Sequence, residues 1–556
     1  MSASGRRRVA VVTGGGGGIG AAIAEELGRG GWFVATVDPL VTLEGTEQLP
    51  PSEETTAGRI VAAGGAAQAS SASVTDGPAL HALFEELVRE QGGLDAVVNV
   101  AGITRQSYFA QGSEDDFVAL LSVHLGGYLN VLRAALPLMA AAGYGRIVGV
   151  TSGSGWRAAD AGGYSAAKRV VAALTWQLGR QAPPGVTINA ISPIAGTRMV
   201  AAALERARQA GRAGGGGGLT LDSMPGPEDL APLGAYLVGD DAGWCSGQVL
   251  FAGGPEVAVV DRPRLIEAVR TTDAVSLDAV LAAVVPRAFA GAERAQATEG
   301  GSNPRFGDIF DAPAPTSAPS AGTTDVRTCA LVSDRPDLAA GVREALEARG
   351  IACHDVEGAR GFDRTAKALR AVAEHAGPID AVVVALAGHD LAATFDWQTV
   401  LADHDDIIEE LHADAAWARA TADYAGEADR PVRLVTLSDA RTPSGRSRAQ
   451  AAAQLARVAA AGTQGRLTAL AISVEAPGGR ASSPAAELTG YLLASPVDDA
   501  AALAGAELAE GDGWIGLRSH PRPIGTITYG GPAIPSWLDA SLREIVATTG
   551  TTTEPA

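Results

Sequence analysis

Lysine is nearly missing from this chain. Its 556 residues hold two, Lys168 and Lys367, beside 41 arginines. A basic position kept as lysine is therefore one where a compact ammonium is wanted and arginine's planar fork does not serve. Cysteine is scarce and odd in number. Cys245, Cys329 and Cys353 show neither metal nor disulfide spacing, which fits a reducing compartment and leads us to expect a cytoplasmic protein. Positive charge is short as well: 43 basic against 63 acidic residues give a net charge of −20, which argues against nucleic acid or an anionic membrane as partner. No run is expected to supply the ~20 apolar residues that span a bilayer. Arg6-Arg7-Arg8 followed by Val9–Val12 has the look of a signal peptide, but Thr13 and five glycines break the apolar run. What remains, 46% hydrophobic and 19% charged, is an ordinary soluble composition with length for two large domains or three to four smaller ones.

One of the two lysines closes the stretch Tyr164-Ser-Ala-Ala-Lys168, in a segment that reads as helix. Spacing of i and i+4 puts phenol and ammonium on one helical face. A phenol ionises near pH ~10, and a neighbouring ammonium favours the phenolate, bringing it towards use as an acid/base. Ser152, twelve residues upstream, stands where a strand ends and can hold a substrate oxygen beside that phenol.

Val9–Val12 reads as a buried parallel strand, followed by Thr13-Gly-Gly-Gly-Gly-Gly-Ile-Gly20 and a helix from Ala21. Strand, glycine loop and helix make a phosphate cradle. The second strand, Trp32–Val37, ends in Asp38. An acid there accepts hydrogen bonds from ribose hydroxyls and repels a 2′-phosphate, so NAD is favoured over NADP. Further strands end at Asn99, which ties strand ends together, borders an adenosine or does both, at Ser152, and at Ser192-Pro193. Strands alternating with helical stretches imply an α/β fold with a doubly wound parallel sheet.

Thr13-Gly14-x-x-x-Gly18-Ile19-Gly20, Asn99-x-Ala101-Gly102, Ser152 and Tyr164-x-x-x-Lys168 together resemble a short-chain dehydrogenase/reductase over residues 7–255. Within that family the first half is similar to the (3R)-hydroxyacyl-CoA dehydrogenase domain of type 2 multifunctional β-oxidation enzymes, through Ala101–Arg105, Val123-His124-Leu125, Gly145–Val148 and Ile191–Met199. The resemblance implies a catalytic set of Ser152, Tyr164 and Lys168, with Lys168 also on the nicotinamide ribose. His124 takes the central-helix place where the family commonly has Asn in a proton relay. The resemblance implies dinucleotide contacts at Thr13, Gly14, Gly18, Ile19, Gly20, Asp38, Val74, Asn99, Ala101, Gly102, Tyr164, Lys168, Pro193 and Thr197. Ser73-Val74 departs from the usual Asp-Val beside the adenine.

Thr197–Pro225 is expected to form a substrate lid, with Arg198, Arg206, Arg208 and Arg212 as candidates for coenzyme A phosphates. Gly247–Phe251 is expected to be the last strand of the sheet. Residues 256–290 form an extension and 291–326, with Pro313–Pro319, a linker. The pattern then repeats over 327–545. Ala381–Gly388 echoes Ala96–Gly102, His412 echoes His124, Arg433–Ser438 echoes Arg146–Ser152, and Gln450 and Gln454 stand in place of Tyr164 and Lys168. Asp334-Arg-Pro-Asp-Leu338 replaces the glycine loop. We therefore expect two tandem Rossmann-type sheets, the second degenerate and without catalysis. The expected activity is NAD(P)-dependent interconversion of a secondary alcohol and a ketone, on a 3-hydroxyacyl/3-oxoacyl thioester. Rival expectations are a steroid, terpenoid or polyketide-type alcohol, or a dinucleotide-binding sensor or scaffold without turnover. Helices near 116–141 and 164–180 and their counterparts near 405–423 and 448–461 are expected to pair the halves as an intramolecular pseudo-dimer through Ile407, Ile408, Leu411, Leu455 and Val458. The alternative is a homo-oligomer of catalytic halves.

Overall fold

The computed structural model describes residues 5–50, 54–106, 108–157, 161–209, 224–271, 277–296, 325–388, 395–476, 484–529 and 533–550. The proline stretch of the expected linker, Arg212 and the glycine run after it lie outside the described residues.

In chain order the strands are β1 (Val9–Thr13), β2 (Phe33–Val37), β3 (Ala66–Ser70), β4 (Ala96–Asn99), β5 (Gly145–Val150), β6 (Val186–Pro193), β7 (Val249–Gly253), β8 (Glu256–Asp261) and β9 (Leu265–Arg270). They continue as β10 (Thr328–Ser333), β11 (Ala352–Asp355), β12 (Ala381–Ala385), β13 (Val432–Asp439), β14 (Leu467–Val474), β15 (Glu507–Gly511), β16 (Trp514–Arg518) and β17 (Arg522–Thr528). Two sheets result. The first runs β17-β8-β7-β6-β5-β4-β1-β2-β3 and the second β11-β10-β12-β13-β14-β15-β16-β9. From β3 to β7 all pairings are parallel, with the order reversing beside β1, where open α/β sheets bind ligands at the carboxyl ends of their strands. The central strands β1, β4 and β12 are buried throughout, as short apolar runs covered on both faces must be.

The expectation that the first sheet ends at Gly247–Phe251 is corrected. After β7 the chain turns back as β8, antiparallel, and β8 is then paired by β17, which arrives from the end of the second half. Reciprocally, β9 leaves the first half and pairs with β16. Each half thus lends its final strand to the other's sheet, covering an edge that would otherwise present unpaired N–H and C=O groups. The C-terminal helix Trp537–Gly550 follows β17 across. Leu538 and Leu542 are buried in the first half's core, and Asp539 accepts hydrogen bonds from Tyr236 Oη and Trp244 Nε1, both at 2.7 Å.

The halves also meet helix on helix. The central helical run consists of Glu114–Leu121, a π-turn over Ser122–Gly126, and Gly127–Ala142. With the Tyr164 helix (Gly162–Gln181) it packs against helices Ile407–Glu427 and Pro443–Gly462. One apolar cluster includes Leu121, Leu125, Ala166 and Val170 from the first half and Ile407, Leu411, Ala415 and Leu455 from the second. Val458, expected in this seam, instead packs into the second half's own core. The run Glu114–Ala142 is long and apolar enough to cross a membrane by length and composition, contrary to expectation, and most of it is buried inside the protein. Arg169, one residue beyond Lys168, is buried and ion-paired with Glu507 of β15. Burial raises the Glu507 carboxyl, but Arg169 and His520 outweigh it and hold the group below the usual carboxylate range.

Candidate active site

The glycine loop leaves β1 and enters helix α1 (Gly18–Arg29), whose N-cap, Gly17, makes no side-chain cap. The first N–H groups of the helix thus keep their donor capacity and dipole for an anion. Two glycines are sterically required. Gly14 sits at φ +64°, and a Cβ there would come within 2.9 Å of the Ala101 backbone. A Cβ on Gly20 would lie 2.3 Å from the Gly14 carbonyl oxygen. The Asp38 carboxylate leans over the loop, accepting from Gly16 N at 3.1 Å and from Leu40 N at 2.9 Å. Thr13 Oγ1 donates to Asn99 Oδ1 at 2.7 Å and accepts from Ala101 N at 3.3 Å. Asn99 thus locks the ends of β1 and β4. Val74 is buried, and its carbonyl accepts from Asn130 Nδ2 at 2.9 Å. Thr197 Oγ1 caps Val200 N at 3.2 Å, and Pro193 closes β6 on the cleft wall. A cradle that tolerates no Cβ at Gly14 or Gly20 and a carboxylate at the end of β2 fit a nicotinamide dinucleotide.

Ser152, Tyr164 and Lys168 converge beyond the C-terminal end of β5. Thr151 Oγ1 donates to the Lys168 carbonyl at 2.6 Å, tying strand end to helix. The Lys168 ammonium donates to the Val150 carbonyl at 2.6 Å and lies 5.7 Å from the centre of the Tyr164 ring. Burial pushes the Tyr164 phenol above its ordinary value, and a hydrogen bond with the Ser152 hydroxyl pulls it the other way. This corrects the expectation that Lys168 depresses the phenol. In this structure Lys168 is itself lowered to about 7 by burial and is committed to the Val150 carbonyl. Its charge is felt by His124 instead.

His124 lies in the π-turn, a widened helical turn that often marks functional sites. Its Nε2 pairs with the Ile103 carbonyl at 2.8 Å, which requires the proton on Nε2 and leaves Nδ1 as acceptor, buried and without a hydrogen-bond partner among the described residues. The ring stands edge-on to Tyr164, centroids 5.0 Å apart. Burial, then the Lys168 charge, lower His124 to about 3 against the pull of the Ile103 bond. In an unfolded chain it titrates near ~6.5, so the unfolded state binds the extra proton between those values. Its contribution to stability is complete above about pH 6.5 and is lost as pH falls towards 3. We expect His124→Asn to shrink the drop in melting temperature between pH 7.5 and 5.0; an unchanged drop would show that this histidine is not the acid-sensitive group.

A cleft opens beside Ser152, with Trp156, Arg157, Pro193, Met224 and Phe251 in its walls. Its lining also includes Pro523 of β17, from the second half. The sequence reading missed Arg157 and Pro523. Arg157 carries no motif, and only strand exchange brings Pro523 near. Arg157 Nε is buried without a partner among the described residues, and burial lowers the guanidinium. The candidate lid arginines are dispersed. Arg206 donates to Thr104, Arg208 pairs with Glu205, and Arg198 approaches the glycine loop, its Nη2 3.0 Å from where a Cβ on Gly17 would sit.

The second half builds different local chemistry. Asp334 accepts from Ala387 N where the glycine loop would turn, and Arg335 lies 3.3 Å from Asp439. Arg448 and Asp414, both buried, form a two-point ion pair at 2.8 Å. The Ser438 hydroxyl is buried without a partner among the described residues. His412, expected as the echo of His124, points into the seam, 2.9 Å from Glu114 and stacked on Phe362.

The family model described as short chain dehydrogenase matches residues 8–208. An acetoacetyl-CoA reductase of Allochromatium vinosum is 32% identical over 251 residues, 44% of this chain and 97% of that protein. The peroxisomal hydratase-dehydrogenase-epimerase of Saccharomyces cerevisiae is 31% identical over 232 residues, 41% of this chain and 24% of that protein, in line with the multifunctional-enzyme resemblance. Among solved structures, the N-domain of a bacterial malonyl-CoA reductase with NADP has a TM-score of 0.62 at 15% identity, covering 88% of this chain and 95% of that one. That likeness concerns the fold alone, and it extends across both sheets.

Proposed function

The chain belongs to the short-chain dehydrogenase family and is an oxidoreductase acting between alcohol and ketone; from that premise we propose that it interconverts 3-hydroxyacyl and 3-oxoacyl thioesters with NAD. The observation that carries the reading is the meeting of Ser152, Tyr164 and Lys168, with Ser152 also in the wall of the neighbouring cleft. The names of the relatives supply the substrate class by analogy.

The nicotinamide of the dinucleotide supplies or accepts the hydride. The residues that would hold the dinucleotide are Thr13 to Gly20, Asp38, Val74, Asn99, Ala101, Gly102, Tyr164, Pro193 and Thr197, with Lys168 on the ribose. The proton is this chain's work. Tyr164 gives its phenolic proton to the carbonyl oxygen in reduction and takes it back in oxidation. Ser152, hydrogen-bonded to the phenol, orients that oxygen and opposes the rise burial imposes. Proton movement at His124 is confined to its Nδ1 acceptor, since Nε2 is spent on Ile103. The second half, with glutamine at 450 and 454 and carboxylates where the glycine loop would be, takes no part in the chemistry in this reading. We place the protein in the cytoplasm.

Turnover of a panel of 3-hydroxyacyl-CoAs of graded chain length with NAD tests the proposal. Activity on steroid or polyketide-type alcohols alone would replace the substrate class, and dinucleotide binding without any turnover would favour a sensor. Asp38→Arg removes the carboxylate that rejects a 2′-phosphate. It is expected to raise the NADP/NAD ratio of kcat/KM by roughly 10²-fold, since like charges set against one another cost several kcal/mol. A wild-type enzyme that already prefers NADP would overturn the cofactor assignment.

A further inference from the structure

Gln454 occupies in the second half the place Lys168 holds in the first, and it is buried. Its amide is spent on the other half. Nε2 donates to the carbonyl of Ser154 at 3.0 Å and to that of Arg157 at 2.8 Å. Those carbonyls belong to the turn that follows Ser152. Among the described residues the turn's backbone N–H groups bond only within it: Ser154 N to Ser152 Oγ at 3.2 Å, Gly155 N to Ser152 O at 2.9 Å, Trp156 N to Gly153 O at 3.2 Å and Arg157 N to Gly153 O at 3.0 Å. The same turn walls the cleft through Ser152, Trp156 and Arg157.

We infer that Gln454 is a positioning residue for the first-half active site, the second half fixing through one amide the turn that presents Ser152 and Arg157 to substrate. A primary amide has two N–H donors, which matches the two carbonyls. A lysine ammonium would put a charge into the same buried place, at the cost of desolvating it. Freed of dinucleotide chemistry, this position carries the neutral donor that the neighbouring turn requires. The inference rests on the reading of Ser152 as the group that orients the substrate oxygen.

The test uses the full chain. Gln454→Met keeps length and volume but has no donor. Gln177→Met is the control: it removes the 2.9 Å bond from Gln177 Nε2 to Ser447 Oγ in the same helix-on-helix seam, away from the turn. Gln454→Met is expected to lower kcat about 10- to 100-fold, as small misplacements of reacting groups do. The dinucleotide dissociation constant should be unchanged and amide hydrogen exchange over residues 152–157 faster. Gln177→Met should do none of these. Equal losses in both variants, or full kcat with unaltered exchange in Gln454→Met, would overturn the inference. Should Gln454→Met not fold, Gln454→Asn, which draws the amide back by one methylene, takes its place with the same expectations. If the wild-type chain leaves 3-oxoacyl thioesters untouched, the substrate proposal falls alone, and the exchange comparison still decides the role of Gln454.

Discussion

Tyr164→Phe is expected to lower kcat by ~10²–10⁴-fold, the range that a positioned acid/base supplies, with dinucleotide affinity unchanged. The variant deletes one oxygen. The ring remains edge-on to His124 and the backbone remains in its helix, so the cradle at Gly14 to Gly20 is untouched. Burial of the phenol and its hydrogen bond to Ser152 act in opposite directions on its proton. Ser152→Ala should therefore shift the tyrosine limb of the pH–rate profile upward as well as weaken turnover. Lys168 enters differently from the simple expectation of an ammonium pressing on a phenol. Lowered to about 7, it changes charge within the working range, and the profile should carry a second ionisation near neutrality that Lys168→Met removes. Retention of more than about a tenth of wild-type kcat in Tyr164→Phe would assign the acid/base role elsewhere.

Cutting the chain into its two sequence halves is expected to destroy both. Residues 1–296 alone lack β17, leaving β8 as an open edge, and carry β9 with no partner. They also lose Leu538 and Leu542 from the core and uncover Leu121, Leu125 and Val170. Each large apolar side chain returned to water costs about 1.5–3 kcal/mol, so a handful exhausts the ~5–15 kcal/mol that holds a typical protein folded. Arg169 would further lose its buried partner Glu507, and breaking a buried pair from one side costs about 3–5 kcal/mol. The fragment should aggregate, or dimerise through the bared helices, and co-expression with residues 325–556 should restore solubility. A soluble, monomeric fragment with the melting temperature and activity of the full chain would show that the second half is no structural partner.

The sequence by itself determined the family of the first half and the repetition of the fold. Thr13–Gly20, Asp38, Ser152, Tyr164 and Lys168 are legible because local geometry dictates them. A backbone at φ +64° beside Ala101 demands glycine, and helical spacing fixes which face Tyr164 and Lys168 share. The degenerate copy was legible because apolar strand and helix patterns survive where catalytic residue types do not. Tertiary structure decided whatever depends on non-local pairing. Nothing in Leu265–Arg270 or Arg522–Thr528 says that each strand crosses to the other sheet, since hydrogen bonding between strands is made by backbone and is blind to side-chain identity. Which carbonyls the Gln454 amide meets was equally hidden, because its partners lie about 300 residues away in sequence. The balance of pKa shifts at Tyr164, Lys168 and His124 was hidden for the same reason. Motif spacing gives proximity, but burial and the Val150 and Ile103 carbonyls set the direction, and those exist only once the chain has folded.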